Sequence, residues 1–203
     1  MSCVEHIVRV DFYGSLPGDS PLLVPIPTAA GYPQQRLHVL AAKALGPMSD
    51  AVYKDLGFPL EAASGWRPHR WPSWEYYVVF VTKKYGSLER GRIYLGFDSP
   101  HETSLAVDFA CGGLRPDSST IEKQKNTPLY KWLMEHADKY GFSCYKPESW
   151  HFEYWIDQDS YKSGVITKPC IYTPSPAPIN DVCEDGSCFT TPLLDDGSSL
   201  VCK

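Results

Sequence analysis

Two short stretches of the chain contain the residue types from which a hydrolytic metal site is built. The first contains His101 and Asp108, and the second contains Glu148 and His151. Two imidazoles and one carboxylate form a usual ligand set for a catalytic zinc ion, which keeps a fourth position open for water. We therefore predict that His101, Asp108 and His151 bind one Zn²⁺. Zinc lowers the pKa of bound water to about 7, and Glu148, three residues before His151, is predicted to take its proton.

The apolar pattern predicts the strands that position these residues. Residues 105–110 form an apolar run interrupted by Asp108, which is typical of a buried strand. A buried, unpaired carboxylate is costly, so Asp108 needs a metal or a cationic partner. Residues 142–145 and 150–155 are predicted as strands of one antiparallel sheet, the second of which carries His151. The predicted fold class is α+β, a small antiparallel sheet that carries the zinc site and is flanked by helices.

Helices are predicted where apolar residues recur at helical spacing. They cover residues 34–56, with a break at Gly46-Pro47, residues 74–84, and residues 128–141. Ser73 is the expected N-cap of the second helix. Thr127 is the expected N-cap of the third, followed by Pro128 at its first position, where a missing N–H costs nothing.

Composition and charge exclude several classes of function. With 203 residues, 43% of them hydrophobic and 21% charged, the chain reads as an ordinary soluble globular protein. A formal net charge of −5 without a basic stripe argues against nucleic acid as a partner. No apolar run approaches the roughly 18 residues that a membrane span needs. Residues 4–9 are too polar for a secretory signal, so no export sequence is expected, although a mature fragment would look the same.

Four motifs, in the same order, resemble those of the VanY-type D-Ala-D-Ala carboxypeptidases. They are Ser64-Gly65-Trp66-Arg67, Ser99-x-His101-x-x-Ser104-x-Ala106-x-Asp108, the helical stretch 127–142, and Glu148-Ser149-Trp150-His151. The family forms of the three short motifs are Ser-Gly-Tyr-Arg, Ser-x-His-x-x-Gly-x-Ala-x-Asp and Glu-Pro-Trp-His. Either metal motif alone would be a weak signal, but four in order over residues 34–155 are a strong one.

The resemblance implies further roles and a fold. Arg67 is expected to donate hydrogen bonds to the scissile carbonyl and to stabilise the oxyanion that forms from it. Ser99 is expected either to orient a metal ligand or to cap a turn, and Trp150 to pack beneath the metal and fix the ring of His151. The fold is expected to resemble that of phage L-alanyl-D-glutamate endopeptidases and of the hedgehog signalling domain.

Two positions depart from the family pattern. Ser104 replaces the family glycine, so a positive φ at this position would cost energy. Ser149 replaces the family proline, which is expected to loosen the turn that presents Glu148 and His151. Neither change removes a predicted ligand or the predicted base.

The function implied by the resemblance is hydrolysis of an amide bond in the peptide stem of bacterial peptidoglycan. The helical stretch 127–142 favours a D-Ala-D-Ala carboxypeptidase, whereas the absence of a visible signal favours either a phage-type endopeptidase, which is an endolysin, or a cytoplasmic enzyme that acts on peptidoglycan precursors. The expected location is therefore the cytoplasm, or, for a phage-encoded protein, the cell wall after release. A non-catalytic, zinc-stabilised binding module is the alternative of another class. The presence of both Glu148 and Arg67 argues against it, because a purely structural site needs neither.

The predicted domain organisation has three parts. Residues 1–33 are expected to form an N-terminal hairpin extension, residues 34–163 the zinc peptidase domain, and residues 164–203 a tail that contains Pro and Cys. The hairpin would pair a strand over residues 4–12 with an edge strand over residues 22–26. Seven Cys, an odd number, leave the disulfide pairing open, and the oligomeric state is open as well.

Overall fold

The computed structural model describes residues 8–92, 95–168, 170–173 and 199–202. Its helices are α1 Val10–Tyr13, α2 Val39–Leu56, α3 Trp74–Tyr85, α4 Leu88–Arg92, α5 Ile121–Lys125, α6 Pro128–His136 and α7 Gln158–Ser163. Its strands are β1 Leu23–Pro25, β2 Arg36–His38, β3 Ala62–Ser64, β4 Ala106–Phe109, β5 Phe142–Cys144, β6 His151–Tyr154, β7 Cys170–Thr173 and β8 Ser199–Cys202. Within the described residues, no helix combines the length and hydrophobicity that a membrane span requires.

A four-stranded sheet in the order β3-β4-β6-β5 is the centre of the fold, and each pair of neighbouring strands in it is antiparallel. The strands predicted around Asp108 and His151 are therefore confirmed, and so is the predicted α+β class. Asp108 lies directly opposite His151 on the neighbouring strand. Because side chains alternate across a strand, these two residues project from the same face of the sheet.

The opposite face of the same strands lines the hydrophobic core. Val107, Phe109 and Phe152 are fully buried there, and helices α2 and α6 contribute Met48 and Leu133 to the same cluster. Each of these strands therefore has an apolar side that packs and a polar side that carries the candidate ligands. This division explains how Asp108 can stand in an apolar run.

Helix α2 differs from its prediction at its start and in its middle. Residues 36–38 form strand β2, and His38 then caps the helix by accepting the Leu40 N–H at 3.2 Å on its Nδ1. The helix continues through Pro47, so the predicted break is wrong. Pro47 and Lys43, whose carbonyl loses its intrahelical donor, are both exposed, so water can donate to that carbonyl instead. The predicted caps of α3 and α6, Ser73 and Thr127, are confirmed.

The predicted N-terminal hairpin is wrong in the part that the structure describes. Residues 10–13 form helix α1, and β1 pairs with β2 instead of with the segment before it. Tyr13 is buried whereas Phe12 is 49% exposed, so the apolar residues of this segment do not share one face of a strand. Residues 1–7 lie outside the described residues, and the division into three domains stays a prediction.

The C-terminal region contains more regular structure than its composition indicates. Helix α7 ends at Gly164, which adopts the left-handed conformation with φ of 70°. Strands β7 and β8 form a separate antiparallel pair. Cys144 is disulfide-bonded and Cys111 is a free, buried thiol. Most of residues 164–203 lie outside the described residues, so the predicted tail is not tested.

Candidate metal centre

His101 lies in a short 3₁₀ turn, Pro100–Thr103, between the Arg67 loop and strand β4. Its Nδ1–H donates to the carbonyl oxygen of Gly65 at 2.6 Å, and this bond leaves a lone pair on Nε2. Nε2 lies 3.2 Å from Asp108 Oδ1, yet it is buried and has no hydrogen-bond partner. A buried nitrogen without a donor is costly, and a metal ion is a partner that would satisfy it.

Asp108 and His151 face each other across the central pair of strands. His151 Nδ1 lies 3.0 Å from Asp108 Oδ1, and the other ring nitrogen, Nε2, lies 3.0 Å from Glu153 Oε1. All three candidate side chains are buried, with His101 at 1%, Asp108 at 5% and His151 at 5% exposed. One ligand atom from each lies within 4.8 Å of the others. The predicted ligands are thus brought together around one point.

The charges at this point favour a bound cation. Burial alone raises the pKa of Asp108, but the two imidazoles hold it well below its usual range. For His151, burial lowers the pKa, but the hydrogen bonds and charges of Asp108 and Glu153 raise it to about 10. His151 Nδ1 therefore carries either a proton or another cation. For His101, burial keeps the pKa below its usual value, so its Nε2 offers a free lone pair.

Glu148 stands beside this cluster on a tight turn. The Glu148 N–H donates to the Tyr145 carbonyl at 3.0 Å, and the His151 N–H donates to the Glu148 carbonyl at 3.0 Å. Glu148 Oε2 lies 4.0 Å from His151 Nδ1, and the side chain is 43% exposed. Burial, together with the charge of Asp108, raises the pKa of Glu148 above its ordinary value. The carboxylate can therefore reach both the cluster and solvent, as a proton acceptor must.

Ser149 does not leave this turn unsupported. Its hydroxyl donates to the side-chain oxygen of Gln124 on α5 at 3.3 Å, and the residue is 1% exposed. The expected loosening by the missing proline is thus offset by a buried hydrogen bond.

Arg67 lies next to the His101 turn. Its backbone N–H donates to the His101 carbonyl at 3.2 Å, and its side chain is exposed. The positive charge of its guanidinium lowers the pKa of both His101 and Glu148. The Arg67 cation therefore acts electrostatically on both a candidate ligand and the candidate base.

Ser99 and Trp150 occupy places that differ in part from those expected. Ser99 is the N-cap residue of the His101 turn, in line with the second of its two expected roles. Trp150 is buried, and a hydrogen bond from its side chain lowers the pKa of Glu148. Tyr145 packs its ring edge-on against His151, with 5.8 Å between the ring centroids. Trp150 therefore acts on the candidate base, while the ring of Tyr145 packs against a candidate ligand.

Two groups that orient the histidines were not predicted. They are the carbonyl of Gly65 behind His101 and the carboxylate of Glu153 behind His151. A carboxylate two residues after His151 on a strand projects from the same face, so the spacing contained a signal for Glu153. The backbone carbonyl of Gly65 leaves no such signal in the sequence.

Ser104, at the family glycine position, has a left-handed backbone with φ of 56°. Its side chain is fully buried, and the hydroxyl has no hydrogen-bond partner. The strain expected from the sequence is therefore present, next to the His101 turn.

A second group of potential ligands contains His69, Asp98 and Glu102. Glu102 is 2% exposed, and both of its oxygens already accept protein donors. One of these donors is the Ser15 hydroxyl at 2.7 Å, and another is the Ser99 N–H at 3.1 Å. Because protein groups satisfy this carboxylate, the group is read as structural.

Residues 34–157 match the model of the VanY family, described as D-alanyl-D-alanine carboxypeptidase. A solved structure of VanYB in complex with D-alanine-D-alanine is 18% identical, with a TM-score of 0.42, and the match covers 74% of this chain and 88% of that one. A second is a variant of the vancomycin-resistance D,D-pentapeptidase VanY from a VanB-type cassette in complex with Zn(II). It is 19% identical, with a TM-score of 0.42, and the match covers 74% of this chain and 90% of that one.

None of the curated protein sequences matches the chain. The family match spans nearly the same residues as the four motifs, which confirms the resemblance seen in the sequence. Since it covers more than half of the chain, the protein belongs to the VanY family of D-alanyl-D-alanine carboxypeptidases, which are zinc-dependent peptidases.

Proposed function

We propose that this chain removes the terminal D-alanine from peptidoglycan stem peptides, with one zinc ion held by His101, Asp108 and His151. The observation that carries the proposal is the buried Nε2 of His101. This nitrogen has no hydrogen-bond partner. One ligand atom each from His101, Asp108 and His151 lies within 4.8 Å of the other two. Two imidazoles and one carboxylate, which leave a fourth position for water, form a ligand set that fits a catalytic zinc site. Bound zinc would supply an activated water at neutral pH and would polarise the carbonyl under attack.

Glu148 is the group that moves the proton. Its carboxylate would accept the proton of the attacking water and then deliver it to the amine nitrogen that leaves as the amide bond breaks. Partial exposure lets Glu148 reach a substrate. The raised pKa of Glu148 lies closer to neutral pH than that of an ordinary carboxyl group, which suits a general base.

Arg67 is the group that stabilises negative charge on the substrate. Its guanidinium is exposed at the cluster and would donate to the carbonyl oxygen as the tetrahedral oxyanion forms. The planar fork could also bind a carboxylate with two parallel hydrogen bonds, and the terminal D-alanine provides one.

The carboxypeptidase reaction is preferred over an endopeptidase reaction because the matching family is described by the former. One experiment distinguishes the carboxypeptidase reaction from the endopeptidase reaction. The zinc-loaded protein is incubated with a stem pentapeptide that ends in D-Ala-D-Ala, and the products are identified by mass spectrometry. Release of D-alanine alone, abolished by a chelator and restored by zinc, supports the proposal. Cleavage within the stem would instead identify an endopeptidase.

Absence of any cleavage by fully zinc-loaded protein would contradict both hydrolytic functions. The non-catalytic binding module would then be the better description. A stem tetrapeptide that already lacks the terminal D-alanine is the matched substrate control, because a carboxypeptidase of this specificity leaves it intact.

A further inference from the structure

We infer that Glu153 is a positioning residue that aims His151 Nδ1 at the metal, and that an N-terminal strap holds Glu153 in place. The strap is defined here as residues 8–16, which lie outside the matched family region of residues 34–157. The inference rests on the proposed metal site and adds to it a part of the chain that the family match does not include.

Glu153 is 1% exposed, and each of its two carboxylate oxygens has a donor. Oε1 lies 3.0 Å from His151 Nε2, and Oε2 accepts the backbone N–H of Val8. With Nε2–H committed to Glu153, the lone pair of His151 is directed through Nδ1 toward Asp108. A carboxylate hydrogen-bonded to a ligand histidine fixes the tautomer and the ring orientation, and makes the ring a stronger base toward the metal.

The strap is docked along the elements that follow β6. The Tyr13 hydroxyl donates to the Ile156 carbonyl at 2.7 Å, and the Tyr161 hydroxyl donates to the Gly14 carbonyl at 2.7 Å. Val8 is 2% exposed and belongs to the main hydrophobic core. These anchors hold the Val8 N–H against Glu153.

The far end of the strap contacts the turn that carries His101. The Leu16 N–H donates to the Glu102 carbonyl at 2.8 Å, and the Ser15 hydroxyl donates to the Glu102 carboxylate at 2.7 Å. The strap therefore contacts both Glu102, the residue after His101, and the carboxylate of Glu153, which is hydrogen-bonded to His151. Its docking fixes the relative position of the two imidazoles.

Glu153→Gln tests the inference directly, because the amide keeps the shape but has one acceptor oxygen for two donors. Either the His151 Nε2–H or the Val8 N–H then faces an NH₂ group. We expect zinc affinity, measured by competition with a chromophoric chelator, to fall about 10- to 100-fold, the usual range for such partners. Nitrogen NMR of the zinc-loaded wild type should show Nε2 protonated and Nδ1 metal-bound in His151, and a mixed population in the variant.

A variant of Val8 tests the strap separately from the carboxylate. Val8→Pro removes the N–H, whereas Val8→Ala removes apolar side-chain atoms and keeps the N–H, so Val8→Ala is the matched control. In the double variant Val8→Pro, Glu153→Gln, the Val8 N–H no longer competes with His151 for the single amide oxygen. We therefore expect the double variant to bind zinc more tightly than Glu153→Gln alone, which a purely structural role for Val8 would not produce.

Tyr13→Phe removes an anchor of the strap without changing Glu153 or Glu102. If the strap holds Glu153 in place, zinc affinity should fall in this variant as well, by less than in Glu153→Gln, and an unchanged affinity would contradict the role given to the strap. Circular dichroism confirms that each variant compared is folded. Unchanged zinc affinity and an unchanged NMR pattern in folded Glu153→Gln would overturn the inference while leaving the proposed function intact. Failure of the wild type to bind zinc would instead overturn the proposed function.

Discussion

At the scale of single residues, the candidate metal ligands and the candidate base differ in burial. The side chains of the three candidate ligands are at most 7% exposed, whereas the Glu148 side chain is 43% exposed. A carboxylate with access to solvent can exchange its proton between turnovers, which a fully enclosed ligand cannot. Substitutions at Glu148 and at the ligands should therefore have different consequences.

Glu148→Gln keeps the side-chain shape and removes the ability to accept a proton. We expect the variant to keep its zinc and its fold while kcat for D-alanine release falls by roughly a hundredfold or more, the usual contribution of a general base. Zinc content by elemental analysis and steady-state kinetics measure the two effects. Glu135→Gln, an exposed change on α6, is the matched control and should be active. Wild-type turnover by Glu148→Gln would refute the assignment of the base.

Arg67→Ala removes a donor to the developing oxyanion without touching the metal. We expect kcat to fall by about 10²- to 10³-fold, which corresponds to about 3 to 4 kcal/mol, with zinc content unchanged. Arg67→Lys retains the charge but not the planar fork, so it should recover only part of the loss. Equal activity of both variants and the wild type would show that Arg67 does not contact the substrate.

At the scale of elements, the His101 turn carries backbone strain. Ser104 has a φ of 56° and a buried hydroxyl without a partner, and both features are costly. Ser104→Gly should therefore raise the free energy of unfolding by about 1 kcal/mol, measured by urea denaturation. Ser104→Ala removes only the hydroxyl, so comparison of the two variants separates the backbone from the side chain. A less stable glycine variant would mean that the serine backbone is not strained.

The strands and caps near the site were predictable because their signals are local. The apolar run around Asp108 and the cap and proline at Thr127-Pro128 each need only neighbouring residues to be interpreted. The N-terminal segment was not predictable, because residues more than a hundred positions away, among them Glu153 and Ile156, decide its conformation. Glu153 could have been found from its spacing to His151, but its Val8 partner could not.

At the scale of the whole molecule, metal binding and folding are coupled, because the ligands come from the His101 turn and from two neighbouring strands. A ligand that binds only the native state stabilises it by about 4 kcal/mol when its free concentration is a thousand times Kd. For a domain of this size we expect saturating zinc to raise Tm by about 10 °C over the chelated protein, measured by calorimetry. Asp108→Ala should lose both this response and activity. A zinc-dependent rise that persists in Asp108→Ala would place the metal elsewhere.

The pairing of Asp108 with His151 also bears on how uniform a preparation of this protein should be. A slip of β4 against β6 by one residue would turn Asp108 toward the core and Val107 toward the substrate. Such an isomer would lose its apolar contacts together with its ligand set, so it could not persist as a compact but inert species. Inactive molecules in a sample should therefore be unfolded or aggregated. Every monomer recovered by gel filtration should be catalytically active once zinc is supplied.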